Sequence, residues 1–89
     1  MRLILYSKPG CHLCEGLQEK LAQIQGMDLE LEIRDITTRE DWFQAYQYEI
    51  PVLFLERGSL PHPTSIPLPR PSPRATVRQL EQMLYPFKE

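Results

Sequence analysis

The segment RLILYSKPGCHLC, residues 2–14, carries the clearest structural signal in this chain. It opens with a short, nearly unbroken apolar run, residues 2–6, which predicts a strand buried on both faces. The next four residues, Ser7–Gly10, include a proline and a glycine and predict a turn. Cys11 and Cys14 then form a Cys-x-x-Cys pair. The segment therefore predicts a strand, a turn and a pair of thiols at the start of a helix.

The spacing of apolar residues after this pair predicts the first helix. From Cys14 the apolar residues recur at Leu17, Leu21 and Ile24, which places them on one helical stripe. Gly26 predicts the C-terminal end of the helix. Because this helix follows a strand and precedes another, it predicts a right-handed crossover between two parallel strands.

Two further strands and a second helix are indicated downstream. Residues 29–34 alternate apolar and charged side chains, which predicts a strand with one solvated face. In residues 37–41, either threonine is a candidate N-cap for a short helix, since a carboxylate follows each three residues later. Residues 50–55 predict a third strand, with Pro51 tolerated only at its first position because proline cannot donate a hydrogen bond.

The region from 61 to 73 has an unusual composition. Six of its thirteen residues are proline, which favours extended backbone and is incompatible with a central strand. We expect a fourth strand to be short, residues 66–68, or missing. The stretch has three candidate roles: an extended edge that prevents sheet-to-sheet association, a wall of a substrate groove, or a polyproline ligand for a partner domain.

The two ends of this stretch are marked by further signals. Residues 57–59, Arg-Gly-Ser, predict a turn. Ser72 and Pro73 predict the start of a last helix. That helix carries apolar residues at helical spacing, namely Val77, Leu80 and Leu84.

The Cys-x-x-Cys pair predicts thiol chemistry. At the helix N-terminus, unpaired amides and the helix dipole stabilise a thiolate, so we expect a lowered pKa for Cys11. Lys8 adds a positive charge that favours the Cys11 thiolate, and His12 is a candidate for tuning the pKa of Cys11. The negative charge of Glu15 acts in the opposite direction. Cys14, on the apolar stripe, is expected to be buried and within disulfide reach of Cys11.

Composition limits the class of protein. The chain has 89 residues, enough for one domain, residues 1–89, and its net charge of −2 argues against nucleic-acid partners. The longest apolar run near the start, residues 3–6, is too short for a signal peptide or a membrane span. We therefore expect a cytoplasmic protein with no membrane partner.

The segment Tyr6–Cys14, together with Ile50-Pro51 at a later strand, resembles the glutaredoxins of the thioredoxin superfamily. Short glutaredoxin-like proteins of unassigned function are more similar still. The resemblance implies an α/β thioredoxin-like fold, a small mixed sheet with helices on both faces. It also implies a redox-active disulfide, with Cys11 as nucleophile and Cys14 as resolving thiol. Pro51 would be a cis-proline facing the cysteines, and the backbone of Ile50 would pair with substrate.

The resemblance also sets expectations for partners. It implies a monomeric oxidoreductase in electron transport that acts on protein or small-molecule disulfides and needs no dissociable cofactor. Glutathione or a thioredoxin reductase system would supply electrons. Glutaredoxins hold glutathione with a Gly-Gly-x-Asp-like turn, and residues 68–76 contain neither a glycine pair nor an aspartate. Arg70 or Arg74 is a candidate for meeting a carboxylate instead.

The sequence also leaves functions other than thiol–disulfide exchange open. A zinc site needs four ligands, and beyond the two cysteines the chain offers only His12 and the distant His62, so no metal site is expected. A non-catalytic binding module and an iron–sulfur-binding dimer are the alternatives. Tyr6 either lines the cysteine site or packs in the core. An aromatic cluster is interpreted as core packing rather than a binding surface; it comprises Trp42, Phe43, Tyr46 and Tyr48.

Overall fold

The computed structural model describes residues 1–58 and 63–88. In chain order the elements are β1 (Arg2–Ser7), α1 (His12–Ala22), β2 (Glu30–Asp35), α2 (Glu40–Tyr46), β3 (Val52–Arg57), β4 (Thr64–Pro67) and α3 (Val77–Leu84). Two short 3₁₀ turns, Ile36–Thr38 and Tyr85–Phe87, precede α2 and follow α3.

The four strands form one mixed sheet in the order β2-β1-β3-β4. β1 is parallel to β2 and antiparallel to β3, and β4 is antiparallel to β3. Residues 3–6 of β1 are buried on both faces, as the apolar run predicts. The α/β arrangement, with its mixed sheet and three helices, agrees with the thioredoxin-like fold expected from the sequence.

Alternate residues of the strands build two cores, one on each face of the sheet. The larger core includes Leu3 and Leu5 of β1 and is covered by α1 and α3. The smaller core contains Ile4 and Tyr6 of β1 and is covered by α2. The aromatic residues of α2 pack here as predicted, namely Trp42, Phe43 and Tyr46. Tyr48 is an exception, because 90% of it is exposed.

The proline-rich stretch contributes β4, which begins and ends earlier than the predicted 66–68. Thr64–Pro67 pair with the outer side of β3. Pro67 and Pro69 have no N–H, but the Leu68 N–H between them donates to the Leu53 carbonyl at 3.0 Å. A proline-containing strand is possible here because β4 is at the edge of the sheet.

The predicted ends of two helices were wrong. α1 ends at Ala22, before Gly26, because the N–H groups of Gln23 and Ile24 bond carbonyls three residues back and close the last turn. α3 begins after Thr76 rather than at Ser72-Pro73. Thr76 and Gln79 form a reciprocal capping box, which the sequence analysis missed.

The predicted threonine cap of α2 was also wrong. Arg39 is the N-cap of α2 and makes no side-chain cap. The hydroxyl of Thr37 instead donates to the Asp35 carboxylate at 2.6 Å, and that of Thr38 to the Asp35 carbonyl at 2.7 Å. These bonds stabilise the preceding 3₁₀ turn, so the threonines serve a different element from the one predicted.

The alternating strand β2 lies at the other edge of the sheet. Ile33, on the face covered by α1 and α3, is 39% exposed because it has a strand neighbour on one side only.

At the end of β3, Gly58 adopts a φ of 89°, which supports the predicted turn. Ser59, the last residue of that prediction, and residues 61–62 of the proline-rich stretch lie outside the described residues. Within the described part of the chain, no helix is both long and apolar enough to cross a membrane.

Candidate functional site

The turn after β1 sets the position of Cys11. Gly10 has a φ of 82°, a conformation that side chains disfavour, and the Cys11 N–H donates to the Lys8 carbonyl at 3.2 Å. This turn leaves Cys11 as the N-cap of α1, with extended backbone angles and its carbonyl accepting the Glu15 N–H at 3.0 Å. Cys11 therefore lies at the positive end of the helix dipole, as the sequence predicts.

Cys11 and Cys14 are joined by a disulfide, with their Cα atoms 5.3 Å apart. The two residues differ in exposure, since Cys11 is partly exposed and Cys14 is only 2% exposed. The Cys14 N–H also donates to Cys11 Sγ at 3.2 Å. The sulfur of the partly exposed residue therefore accepts a helix amide, while Cys14 lies in the protein interior.

The two predicted tuning residues lie around this pair at the surface. The His12 side chain is 93% exposed, and its Nδ1 is 3.6 Å from the Glu15 carboxylate. Lys8 is exposed in the turn. Among the residues that the structure describes, neither side chain is hydrogen-bonded to a sulfur, so any influence on Cys11 acts through space. Tuning by Lys8 and His12 stays a prediction.

Ile50 and Pro51 precede β3, and the bond between them is cis, as the resemblance implies. Pro51 is buried. The Ile50 N–H donates to the Tyr46 carbonyl at 3.2 Å, and the Ile50 carbonyl accepts from Arg70 Nη2 at 3.2 Å. Both backbone groups of Ile50 thus have partners within the chain, and pairing with substrate stays a prediction.

A groove of about 140 Å³ lies between the start of α1, Pro51 and the segment 70–73. Its walls include apolar side chains from three elements, namely Leu13, Leu17, Pro51 and Leu80. Lys20 Nζ donates to the Pro73 carbonyl at 2.9 Å and holds the proline-rich segment against α1. This position favours the groove-wall interpretation of that segment.

Tyr6 lies on the opposite face of the sheet from this groove. Its ring is 7% exposed and packs at 4.4 Å, between centroids, from Tyr46. Its hydroxyl accepts from Arg34 Nη1 at 2.9 Å. Burial opposes ionisation of Arg34, but its hydrogen bonds to Glu32 and Tyr6 raise its pKa overall. The core interpretation of Tyr6 accounts for these contacts, and substrate binding by Tyr6 stays a prediction.

The chain matches the glutaredoxin-like domain (DUF836) over residues 2–85. It belongs to this family. Searches of the curated proteins and of the solved structures gave no match. The glutaredoxin-like match includes the proline-rich stretch, residues 61–73. The Cys11–Cys14 pair and the family together identify a redox-type module.

The sequence analysis missed several groove residues of this glutaredoxin-like chain. Leu13 is four residues before Leu17 and so extends the apolar stripe, but it is 49% exposed. The apolar spacing indicates burial there and gave no signal of this exposure. Lys20 and Leu80 gave none, because their positions in the groove depend on how α1 and α3 pack. Within residues 1–58 and 63–88, no three His, Cys, Asp or Glu side chains are grouped to hold a metal ion. His62 lies outside the described residues.

Proposed function

We propose that this glutaredoxin-like chain is a thiol–disulfide oxidoreductase in which Cys11 is the nucleophile and Cys14 the resolving thiol. One observation carries the proposal: Cys11, a partly exposed helix N-cap residue, is disulfide-bonded to the buried Cys14 one turn later. A bridge between residues three apart closes a very short loop and restricts the unfolded chain little. The pairing is therefore better explained by chemistry than by stability.

The helix start supports the first step. In the reduced protein, the amides at the N-terminus of α1, including the Cys14 N–H, stabilise a thiolate at Cys11. This thiolate attacks one sulfur of a substrate disulfide. A bond forms between Cys11 and that sulfur, the substrate S–S bond breaks, and the other sulfur leaves as a thiolate that takes up a proton.

The position of Cys14 supports the second step. Cys14 loses its proton and attacks Cys11 Sγ, which breaks the mixed disulfide and releases the second substrate thiol. The substrate gains two electrons, and the protein ends with the Cys11–Cys14 disulfide found in this structure. Because Cys14 is buried, it meets the mixed disulfide from inside and does not compete for substrate.

The oxidised protein then needs a reductant. A dithiol from a thioredoxin reductase system or glutathione would reduce the bridge, and these steps need no dissociable cofactor. The proposed place in the cell is the cytoplasm, whose thiol pools are reducing. Residues 68–76 lack the glutaredoxin glutathione turn, so glutathione would have to bind through other contacts.

Trapping with the Cys14→Ser variant tests this assignment. We expect reduced Cys14→Ser to accumulate one mixed disulfide on Cys11 when mixed with hydroxyethyl disulfide, detected by intact mass and peptide mapping. Wild type under the same conditions should return to the intramolecular bridge. Equilibration of wild type against glutathione buffers, read by mass spectrometry, then gives the reduction potential. Failure of Cys14→Ser to form the adduct would contradict Cys11 as the nucleophile.

A further inference from the structure

The groove that His12 and Leu13, the two residues between the cysteines, form with Pro51 and the segment 70–73 has two cations and no carboxylate. Lys20 and Arg70 both line it, and among the described residues no Asp or Glu does so. Neither cation has a carboxylate within 4 Å in the described part of the chain. This arrangement is notable in a chain whose net charge is −2. The groove is thus charged opposite to the protein as a whole.

Arg70 is held at the rim of this groove by one bond and keeps most of its donors. A guanidinium carries five N–H donors, and the hydrogen bonds of the described residues give Arg70 a single one, to the Ile50 carbonyl at 3.2 Å. That bond places the exposed guanidinium next to the cis Ile50-Pro51 peptide. A planar fork with free donors matches a carboxylate bidentately.

We propose that this groove recognises a carboxylate carried by the disulfide substrate close to the sulfur that Cys11 attacks, and that Arg70 is the residue that binds it. The inference rests on the proposed function and adds a substrate class to it. The short aliphatic linker between sulfur and carboxylate lies along the apolar wall formed by Leu13 and Pro51. Lys20 adds positive charge at the other side.

One carboxylate of this chain competes weakly for Arg70. Glu49 and Arg70 line a second depression together, on the other side of Pro51, but no ion pair joins them within 4 Å. Glu49 is exposed, so water screens its attraction to Arg70. The Glu49→Gln variant should therefore bind a substrate carboxylate slightly better than wild type.

The test uses three disulfides of nearly the same size: dithiodipropionate, hydroxyethyl disulfide and cystamine. Their ends are carboxylate, hydroxyl and ammonium. Each is reduced to two thiols by the two electrons of the Cys11/Cys14 dithiol. The rate constant for each is divided by the rate constant with dithiothreitol alone, which removes intrinsic differences in reactivity.

We expect wild type to favour dithiodipropionate after this correction. The Arg70→Gln variant should reduce it about three- to fivefold more slowly, the upper part of the range for an exposed ion pair. Its rates with hydroxyethyl disulfide should stay within about twofold. Arg78→Gln is the matched control, because Arg78 is exposed on α3 and does not line the groove. It should leave all three rates unchanged, and high salt should reduce the wild-type preference.

The same panel separates this inference from the proposed function. If wild type reduces none of the three disulfides, the proposed function fails. If it reduces them but Arg70→Gln slows all three equally, carboxylate recognition is overturned, and Arg70 instead positions Ile50. Equal effects of Arg70→Gln and Arg78→Gln also overturn it, since they indicate general charge attraction.

A second comparison identifies the source of the carboxylate. Two peptide disulfides, one with Glu and one with Gln beside the cysteine, are compared with glutathione disulfide. A preference for Glu over Gln that Arg70→Gln abolishes supports an acidic protein substrate. An Arg70-dependent rate with glutathione disulfide alone supports a small substrate. Absence of any Arg70 dependence in this set contradicts the inference.

Discussion

Two helices of this chain begin with different chemistry. α3 starts with a capping box, in which Thr76 and Gln79 satisfy each other's backbone N–H groups. α1 starts with a sulfur, because Cys11 Sγ accepts the Cys14 N–H. Both caps bind amides that the helix leaves unpaired, but only the sulfur can also form a covalent bond. The same device, a side chain that accepts a free helix amide, is therefore a hydroxyl at α3 and, at α1, the sulfur to which we assign the exchange chemistry.

The largest effect is expected from a substitution that removes the sulfur at the start of α1 and leaves a hydroxyl to cap the helix. Cys11→Ser should abolish disulfide reduction, because serine is not a nucleophile for disulfides here. Serine is a preferred N-cap, so the free energy of unfolding of the reduced protein should change by less than about 1 kcal/mol. Turnover of hydroxyethyl disulfide and urea unfolding in excess dithiothreitol measure the two properties. Retained turnover in Cys11→Ser would contradict the proposed nucleophile.

The opposite outcome is expected at the start of α3. Thr76→Ala should lower the free energy of unfolding by about 1 kcal/mol and Tm by about 4–8 °C. The Gln79 N–H loses its acceptor, and the reciprocal bond from the residue 76 N–H to the Gln79 side chain is weakened. The exchange rate should stay within about twofold of wild type. Thr76→Ser, which keeps the hydroxyl, is the control for stability. A large loss of activity in folded Thr76→Ala would show that the two helix starts are not independent.

A smaller effect is expected from the charge in the first turn of α1. Glu15 is 60% exposed there, and its carboxylate disfavours a thiolate at Cys11. Glu15→Gln in the Cys14→Ser background should lower the pKa of Cys11 by about 0.2–0.5 pH units, measured by the ultraviolet absorbance of the thiolate. Glu19→Gln, one turn further along the same helix, is the matched control and should give no shift. A rise in the pKa of Cys11 in the Glu15→Gln variant would contradict the expected effect of the Glu15 charge.

The smallest effect concerns Tyr46, which packs on the face of the sheet opposite to α1 and α3. Burial raises the pKa of Tyr46, and the charges of Tyr6 and Glu49 add to it. A raised folded-state pKa gives stability that is complete below the unfolded pKa of about 10 and is lost as pH rises through the folded value. Wild type should therefore lose stability above about pH 10 more steeply than Tyr46→Phe, as urea midpoints from pH 8 to 11 would show. The same pH dependence of the urea midpoint in wild type and Tyr46→Phe would contradict a raised pKa for Tyr46.

The sequence was sufficient where the signal was local. The apolar run of β1, the turn at Gly10 and the position of Cys11 all follow from residues 2–14, because neighbouring residues determine them. The burial of Cys14 followed from its place on the apolar stripe with Leu17 and Leu21. Strands and helices were therefore predicted best around the cysteine pair.

Helix ends were less predictable, because competing signals lay close together. Ser72-Pro73 and Thr76 are both good helix starts, and the second is reinforced by Gln79, which settles the competition. Gly26 favoured a late end for α1, but the chain turns earlier to bring buried Met27 into the larger core. Such choices depend on tertiary packing that a single sequence does not display.

The groove illustrates what sequence reasoning cannot reach. The resemblance to glutaredoxins made Arg70 a candidate carboxylate contact, but its bond to the Ile50 carbonyl joins positions 20 residues apart. That contact depends on the cis peptide, on β4 at the sheet edge and on Lys20 holding Pro73. Only the assembled fold brings these elements to the cysteine pair.

The most direct test of the account is the titration of Cys11 in the Cys14→Ser variant, followed by the ultraviolet absorbance of the thiolate. A sulfur held at a helix start should ionise with a pKa below about 7. A pKa near that of free cysteine, about 8.5, would contradict the account and would favour a binding module that keeps its cysteines without turnover.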